Sequence, residues 1–296
     1  MKTRSAFVSI VGCPNVGKSS LLNEILGQKI AIVSNKPQTT RTQIMGVWTE
    51  GELQLIFTDT PGLHRAKNKL SEHMIKAVTD SVNDVDMVLF VTEPKGKIKE
   101  EELELISRFQ KLSVPVLLII NKIDLIDDKK QIAERIRAFT SLYSFDAVIP
   151  VSALEHDGVD LILKELSDRA DEGVHYFPDD TLTDQPERVL AAEMIREKVL
   201  MLFRQEIPHG IAVSIESMKE RKKGDILDIE ATIFCEKSSH KGMLIGKNGA
   251  MLKEIGSQAR VDMERFFDIK INLQLWVKVR EDWRNKENII RSFGLS

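Results

Sequence analysis

The sequence has little cysteine and no long apolar run, and both shortages narrow the class of protein. Its 296 residues contain two cysteines, Cys13 and Cys235, far apart and without the spacing of metal ligands. This excludes a disulfide framework and favours a reducing compartment. The longest apolar run, residues 114–120, is far shorter than the roughly 18 residues that a membrane span needs. Residues 1–5 lack the apolar stretch of a secretory signal, so we expect a cytoplasmic protein.

The charge is small overall but unevenly divided. The net charge is −3, and residues 1–186 carry 22 Lys and Arg against 28 Asp and Glu, whereas residues 187–296 carry 20 against 17. This basic surplus is weak evidence for a nucleic acid partner, because charged residues usually only solvate a surface. The length and a hydrophobic content of 42% predict two domains with ordinary cores.

The first part of the chain alternates short β-branched runs with helical segments. The predicted strands are 7–11, 53–58, 87–91, 116–120 and 147–151. The predicted helices are 19–26, 70–82, 100–109, 130–141 and 159–169. This order predicts an α/β domain over residues 1–173, with a mostly parallel sheet and helices on both faces. Such sheets bind ligands at the carboxyl ends of their strands, where the motifs described next fall.

A polar stretch without periodicity predicts a linker over residues 174–186, which contain Pro178 and Pro186. The pattern beyond it predicts a smaller α+β domain over residues 187–296. Its predicted elements are a helix at 187–205, strands at 211–218 and 226–235, a helix at 249–268, a strand at 271–279 and a short helical tail.

The first motif is a glycine-rich loop between a strand and a helix, the context of a phosphate-binding loop. Glycines at both ends let consecutive backbone N–H groups face a phosphate, Lys18 reaches its oxygens, and Ser19 offers a hydroxyl to magnesium. The residues assigned to this loop are Gly12, Cys13, Pro14, Asn15, Val16, Gly17, Lys18, Ser19 and Ser20.

The second motif follows the strand at 53–58 and reads Asp59, Thr60, Pro61 and Gly62. Alone it could be an ordinary turn. At the carboxyl edge of the sheet, Asp59 is placed to hold magnesium through water, and the Gly62 N–H to sense a terminal phosphate.

The third motif selects the base. Asn121, Lys122 and Asp124 follow a buried strand, and a carboxylate at 124 accepts hydrogen bonds from guanine N1–H and its 2-amino group. Adenine offers neither donor, so it is disfavoured. Asn121 would brace the loop and Lys122 would lie along the base. A weaker signal follows the last strand, and it consists of Ser152, Ala153 and Leu154. The backbone N–H of Ala153 could reach guanine O6.

These motifs, in this order and each after a strand, resemble those of the P-loop GTPases over about the first 170 residues. The resemblance implies GTP or GDP with Mg²⁺ as ligands, held by Ser19, Asp59 and a switch threonine. Residues 36–41 fill the switch position, and Thr40, with Thr39 as the alternative, matches the magnesium-binding threonine. We assign catalytic roles to Lys18, Thr40 and Gly62.

One departure from the family pattern concerns hydrolysis. Many regulatory GTPases place a water-orienting glutamine after the glycine of the second motif, whereas this chain has Leu63 followed by His64. The sequence resembles the subgroup with an apolar residue there, which implies that a switch backbone group or a K⁺ ion positions the water. We therefore expect slow intrinsic turnover. Leu63 also leaves open a second reading, an RNA-binding scaffold that holds the nucleotide without useful turnover.

The second domain contains a GxxG loop. An apolar residue precedes it and an amphipathic helix follows it, as in the RNA-binding loop of KH domains, where backbone N–H groups face phosphates and a groove accepts unstacked bases. The α-β-β-α-α-β order resembles the bacterial, type II KH class. The RNA-binding residues assigned here are Lys241, Ile245, Gly246, Lys247, Asn248, Gly249 and Lys253, with Arg221, Lys222 and Lys223 in the hairpin. Trp276, Phe266 and Phe267 are assigned to the core.

A GTPase domain with Pro-Gln-Thr-Thr-Arg in its switch, joined to a carboxy-terminal KH domain, resembles the Era family of bacterial GTPases over nearly the whole chain. The resemblance implies binding near the 3′ end of the small-subunit (16S) ribosomal RNA and a role in assembly and maturation of the 30S subunit. It also implies a peripheral contact with the inner face of the cytoplasmic membrane, for which the basic hairpin is the one physical signal. We expect a monomer.

Overall fold

The computed structural model describes residues 2–295 except 35, 37, 38, 42, 63–67, 81–83, 204–206 and 223. The chain separates into two compact units. The first contains the described residues of 1–31, 40–66 and 74–184, and the second those of 32–39, 67–73 and 185–296. Two short segments that lie early in the sequence therefore belong with the carboxy-terminal unit.

The first unit is built on one sheet, and its strands and helices alternate along most of the chain, as the sequence pattern predicts. Its strands are β1 (Arg4–Gly12), β2 (Ile44–Glu50), β3 (Leu53–Asp59), β4 (Met87–Thr92), β5 (Val116–Ile120), β6 (Ala147–Pro150) and β7 (Asp171–Glu172). Its helices are α1 (Lys18–Leu26), α2 (Lys69–Asp80), whose first turn belongs to the second unit, α3 (Glu100–Phe109), α4 (Lys129–Thr140) and α5 (Val159–Arg169).

The strand order is β2-β3-β1-β4-β5-β6, with β7 beside β1. The pairs from β3 through β6 are parallel, whereas β2 and β7 pair antiparallel with their neighbours. Every residue of β3, β4 and β5 is buried, as expected for strands covered on both faces. The predicted α/β class with a mostly parallel sheet is confirmed, but β2 and the two-residue β7 were not predicted.

The predicted linker has no helix or strand in residues 174–186, yet most of it is bound to the first unit. Gln54 on β3 accepts hydrogen bonds from the Tyr176 and Phe177 N–H groups at 2.8 and 3.0 Å. Val47 on β2 donates to the Leu182 carbonyl at 2.8 Å. The units divide after residue 184, because irregular backbone here takes its hydrogen bonds from the sheet.

The second unit has helices packed against one three-stranded sheet. Its main elements are α6 (Glu187–Leu202), β8 (Ala212–Glu220), β9 (Ile226–Cys235), α7 (Ser238–Ile245), α8 (Ala250–Phe267), β10 (Lys270–Val279) and α9 (Glu287–Ser292). The order α6-β8-β9-α7-α8-β10 is the predicted KH order, and β10 runs parallel to β9 while β8 runs antiparallel. The core lies between the helices and the odd-numbered side chains of β10.

The assignment of Trp276 to the core is wrong. Its side chain is 44% exposed, whereas Ile271 and Val277 on β10 are buried. Successive side chains of a strand point to opposite faces, so Trp276 stands on the face away from the helices. Phe266 and Phe267 do pack against the core, as predicted.

Both cysteines are buried free thiols. Burial raises the pKa of Cys13 to about 11 and also raises that of Cys235. Neither thiol is therefore ionised near neutral pH. Among the described helices, none has the length and apolarity that crossing a bilayer requires.

Candidate functional site

The loop between β1 and α1 wraps tightly, and two of its positions require glycine. Gly12 has φ 153°, and a Cβ there would lie 2.2 Å from the Val91 carbonyl oxygen. Gly17 has φ 96° and begins α1 as its N-cap. The N-terminus of α1 therefore points its free N–H groups into the loop, an arrangement that binds phosphate.

Lys18 lies inside this loop. It is buried, and its Nζ donates to the Gly12 and Cys13 carbonyl oxygens at 3.2 and 3.0 Å. These bonds fold the side chain back over the loop, with its charge at the centre of the wrapped backbone. The residues that the sequence assigned to phosphate binding lie where predicted: residues 13–17 form this loop, and Ser20 lies in the first turn of α1.

Three oxygen-bearing side chains from separate segments converge beside Lys18. The Ser19 hydroxyl donates to Asp59 Oδ2 at 2.5 Å and lies 2.9 Å from the Thr40 hydroxyl. Thr40 Oγ1 lies 3.4 Å from the same Asp59 oxygen. These are the three residues that the sequence assigned to magnesium, and the structure favours Thr40 over Thr39 for this position.

The electrostatics of this cluster are dominated by burial. Burial lowers the pKa of Lys18, although the nearby Asp59 charge opposes the shift. Burial raises the pKa of Asp59, against the Lys18 charge and the hydrogen bonds from Ser19 and Thr40. In both groups burial disfavours the charged form. Asp59 Oδ1 is buried and has no hydrogen-bond partner within the described structure.

The Asp-Thr-Pro-Gly segment closes against the phosphate loop. The Thr60 hydroxyl is buried and donates to the Ile10 carbonyl at 2.9 Å, and Pro61 is buried beside it. A Cβ on Gly62 would lie 2.6 Å from Pro14 Cα, so only glycine permits this approach. Leu63 and His64 lie outside the described residues.

Asn121 joins the third motif to the phosphate loop. Its Nδ2 donates to the Val16 carbonyl at 3.0 Å, and its Oδ1 accepts from the Ala153 N–H at 3.1 Å. The brace that the sequence predicted is therefore present. The Ala153 N–H, assigned to guanine O6, instead binds Asn121 in this arrangement, and Leu154 is 74% exposed.

Asp124 is exposed in the 3₁₀ turn after Lys122, and its Oδ1 accepts from the Ser152 hydroxyl at 2.6 Å. Lys122 has the unusual φ of 66°, and its Nζ donates to the Asn15 carbonyl at 2.5 Å. Sequence reasoning assigned Lys122, Asp124 and Ser152 to the base-binding site, and the structure brings these three residues to the same edge of the sheet.

Glu93 is a residue of this site that sequence reasoning missed. Its carboxylate accepts from Lys122 Nζ at 2.6 Å, and its carbonyl accepts from Arg135 Nε at 3.0 Å. The signal was its position directly after the buried strand β4, at the carboxyl edge of the sheet. Glu93 thus helps to hold the Lys122 side chain against the phosphate loop, where Lys122 also binds the Asn15 carbonyl.

In the second unit, the GxxG loop has the backbone that its glycines permit. Gly246 has φ 72°, and a Cβ there would lie 2.7 Å from Met251 Cβ. Gly249 has φ 79° and caps the N-terminus of α8. Lys247, Asn248 and Lys241 are exposed, whereas Ile245 is partly buried.

A groove of about 330 Å³ follows this loop between α8 and β10. Its apolar side comes from Leu252, Ile271, Leu273 and Leu275, and its basic groups are Lys253 and Arg260. Arg260 was missed, although it lies seven residues after Lys253 and so on the same helix face. An apolar floor with basic rims suits bases and phosphates of a single strand.

In the basic hairpin, one of the assigned residues is engaged in an ion pair. Arg221 forms a two-pronged pair with Asp228, at 2.9 and 2.7 Å, and hydrogen bonds from Arg221 and Asn272 lower the pKa of Asp228 to about 2. Lys222 is exposed in the turn, and Lys223 lies outside the described residues. Among the described residues, the groove is lined by α8 and β10 and not by this hairpin.

The fold and the two sites define a class, a P-loop GTPase carrying a KH domain. A family model described as a 50S ribosome-binding GTPase matches residues 7–122, and one described as a KH domain matches residues 206–284. The chain is 53% identical to GTPase Era of Ruminiclostridium cellulolyticum, over 99% of this chain and 98% of that protein. It is 50% identical to GTPase Era of Clostridioides difficile, over 98% of each chain. The chain belongs to the Era family of GTPases.

Two solved structures resemble it over their full length. One is Era in complex with MgGDPNP and nucleotides 1506–1542 of 16S ribosomal RNA, at 37% identity and a TM-score of 0.95, covering 99% of both chains. The other is a variant of Era from Aquifex aeolicus bound to GDP·AlF4⁻, also at 37% identity and a TM-score of 0.95, covering 99% of this chain and all of that one.

The Glu93 contact predicts a change in nucleotide retention. Glu93→Gln should speed dissociation of both GDP and GTP about threefold, because a partly buried ion pair that holds Lys122 is lost. Stopped-flow release of a fluorescent guanine nucleotide measures this rate. Glu104→Gln, which breaks the exposed Glu104–Arg108 pair on α3, is the control. Equal rates in Glu93→Gln and the control would show that Glu93 does not act on the nucleotide.

Proposed function

We propose that this protein binds GTP with Mg²⁺ at the edge of the first sheet, hydrolyses it slowly, and binds single-stranded RNA near the 3′ end of 16S ribosomal RNA through its second unit. In this role it would assist assembly and maturation of the 30S subunit. The observation that carries the proposal is the convergence of Ser19, Thr40 and Asp59 beside the buried Lys18.

The cluster fits a magnesium ion bound with a phosphate. It offers two hydroxyls and one carboxylate, and hard divalent cations prefer oxygen ligands and take the rest from phosphate and water. Asp59 Oδ1, buried without a partner in the described structure, supplies a further oxygen. Among the described residues, no group of three or more His, Cys, Asp or Glu forms a separate metal site.

The residues around this cluster would divide the work of phosphate binding. The N–H groups at the start of α1 and the charge of Lys18 would hold the β- and γ-phosphates, and a magnesium ion held by Ser19, Thr40 and Asp59 would offset the phosphate charge. Thr40 and the Gly62 N–H would register the γ-phosphate, which distinguishes GTP from GDP. The sequence predicts that a switch backbone group or a K⁺ ion orients the attacking water. That prediction, and any role of Leu63 or His64 in this step, stay open to test.

The base contact gives a selective test. Asp124→Asn should weaken GTP binding about 100-fold and improve binding of xanthosine triphosphate, because the new amide donates where guanine also donates. Competition of the two nucleotides against labelled GDP measures the preference. Asp127→Asn, the same change on an exposed residue three positions later, should leave it unaltered. Retained GTP selectivity in Asp124→Asn would remove Asp124 from the base site.

The GxxG loop gives the matching test for RNA. Changing Lys247 and Asn248 to Asp together should reduce affinity for a single-stranded 16S 3′-end oligonucleotide at least tenfold, because two negative charges would face the phosphates. Fluorescence anisotropy measures RNA binding, and GDP affinity should not change. The same pair of substitutions at Asn285 and Lys286, outside the groove, is the control. Unaltered RNA affinity in the first variant would place the RNA site elsewhere.

The switch reading and the scaffold reading differ in turnover. A switch hydrolyses GTP, and its RNA affinity differs between a GTP analogue and GDP. Single-turnover hydrolysis with and without the 16S oligonucleotide, together with RNA titrations in both nucleotide states, separates them. We expect slow hydrolysis and unequal RNA affinities. The absence of hydrolysis in both conditions, with equal RNA affinities, would favour a scaffold.

One further expectation rests on the family resemblance, and others rest on the sequence itself. A peripheral contact with the cytoplasmic membrane is proposed on that basis. We also propose a cytoplasmic location and a monomeric state. The polar, aperiodic stretch 174–186 is the basis for proposing a linker there, between domains over residues 1–173 and 187–296. The membrane contact has little physical support, because Arg221 in the basic hairpin is already paired with Asp228.

A further inference from the structure

Residues 93–96 follow β4 as irregular backbone, so their carbonyl groups take hydrogen bonds from elsewhere in the first unit. One side chain supplies two of these bonds. Arg135 on α4 donates from Nε to the Glu93 carbonyl at 3.0 Å and from Nη1 to the Gly96 carbonyl at 2.9 Å. The two ends of the segment are therefore fastened to the same guanidinium group.

The Arg135 guanidinium is itself fixed by a buried ion pair with Glu102 on α3. Arg135 is 6% exposed and Glu102 is 1% exposed. Nη2 of Arg135 lies 3.2 Å from Glu102 Oε1 and donates to the Thr92 hydroxyl at 2.9 Å, and that hydroxyl donates to the same carboxylate at 2.5 Å. Since a buried ion pair gives little net stability, its clearest effect here is to set the direction of the other guanidinium donors.

The side chains of the same segment reach the 3₁₀ turn that carries Asp124. Glu93 accepts from Lys122 Nζ at 2.6 Å, at the start of that turn. Lys95 donates from Nζ to the carbonyl oxygen of Leu125, at the end of the turn. Asp124, which the proposed function assigns to guanine, lies between these two points along the chain.

The turn needs support because part of its backbone is unfavourable. Lys122 has φ 66°, in the left-handed region that most side chains disfavour, and such a residue persists only where its surroundings hold it. The Ile123 N–H donates to the Val151 carbonyl at 3.2 Å, which ties the turn to the end of β6. The contacts from residues 93–96 add two more fixed points.

We propose that residues 93–96, held by Arg135, are a positioning element for guanine: they fix the turn 122–125 so that the Asp124 carboxylate meets both N1–H and the 2-amino group of the base. The inference rests on the proposed function, in which Asp124 selects guanine. Arg135 and Lys95 are then positioning residues that act through the turn. Two hydrogen bonds to one carboxylate require an accurate direction, because a hydrogen bond weakens as its angle departs from linear.

The guanine 2-amino group gives a readout that a change in stability alone does not move. Inosine diphosphate differs from GDP only in lacking that group, so the ratio of the two affinities reports one of the hydrogen bonds to Asp124. Arg135→Lys keeps a charge beside Glu102 but loses the fork that binds two carbonyls, so it should lower the preference for GDP about threefold. Isothermal titration of both nucleotides with Mg²⁺ on the full-length chain measures the ratio.

A second variant changes an exposed residue, so it leaves the buried ion pair in place. Lys95→Met removes the contact with the Leu125 carbonyl and should lower the same preference about twofold. Arg135→Lys combined with Lys95→Met should lose little more than Arg135→Lys alone, because both changes act through residues 93–96. Full additivity would show that Arg135 acts by another route and would overturn the inference.

Arg169→Lys is the matched control. Arg169 is an arginine of the same unit that also donates to two backbone carbonyls, those of Glu165 and Asp146, at 2.9 and 3.3 Å. Its fork serves α5 and the residue before β6, so the ratio of GDP to inosine diphosphate affinity should not change.

An unaltered ratio in Lys95→Met or in folded Arg135→Lys would overturn the inference, and so would an equal change in Arg169→Lys. If Arg135→Lys fails to fold, the ratio in Lys95→Met decides by itself. Failure of the proposed base contact would look different, because the unsubstituted protein would then bind GDP and inosine diphosphate equally well.

Discussion

The buried amide of Asn121 holds the nucleotide site together. It follows β5, and its backbone N–H donates to the Thr92 carbonyl at the end of β4 at 2.9 Å. Its side chain binds the phosphate loop through Val16 and the loop after β6 through Ala153. A Cβ at position 17 would lie 2.2 Å from its Nδ2, so the Asn121 amide occupies space that glycine at position 17 leaves open. The Asn121 side chain thus fixes the distance between the phosphate loop and the loops that would bind the base.

The charged centre of the site adds a second constraint. Lys18 at the start of α1 and Asp59 at the end of β3 are both buried, so little water reaches them. Burial of charge is costly, and a bound ion of opposite sign offsets that cost. The backbone around these charges is close packed, since a Cβ at Gly12 would lie 2.2 Å from the Val91 carbonyl oxygen and one at Gly62 would lie 2.6 Å from Pro14 Cα.

Much of this arrangement was predictable from the sequence, since the relevant residues are contiguous and follow strands. The phosphate loop, Asp59, Asn121 and the GxxG loop each combine a local pattern with a known place in the fold. The residues that were missed act across long separations. Glu93 supports a lysine 29 positions later, and the segment 174–184 borrows its hydrogen bonds from β2 and β3. No local periodicity reports such contacts, and composition alone suggested a linker.

In helix α6, too, the sequence alone does not predict which side chains are buried. Its sequence, read by periodicity, predicts an ordinary amphipathic helix, and charged residues within it would be placed in solvent. Burial of Arg196 and Glu197 becomes intelligible only with the backbone groups of Val33 and Thr39 beside them.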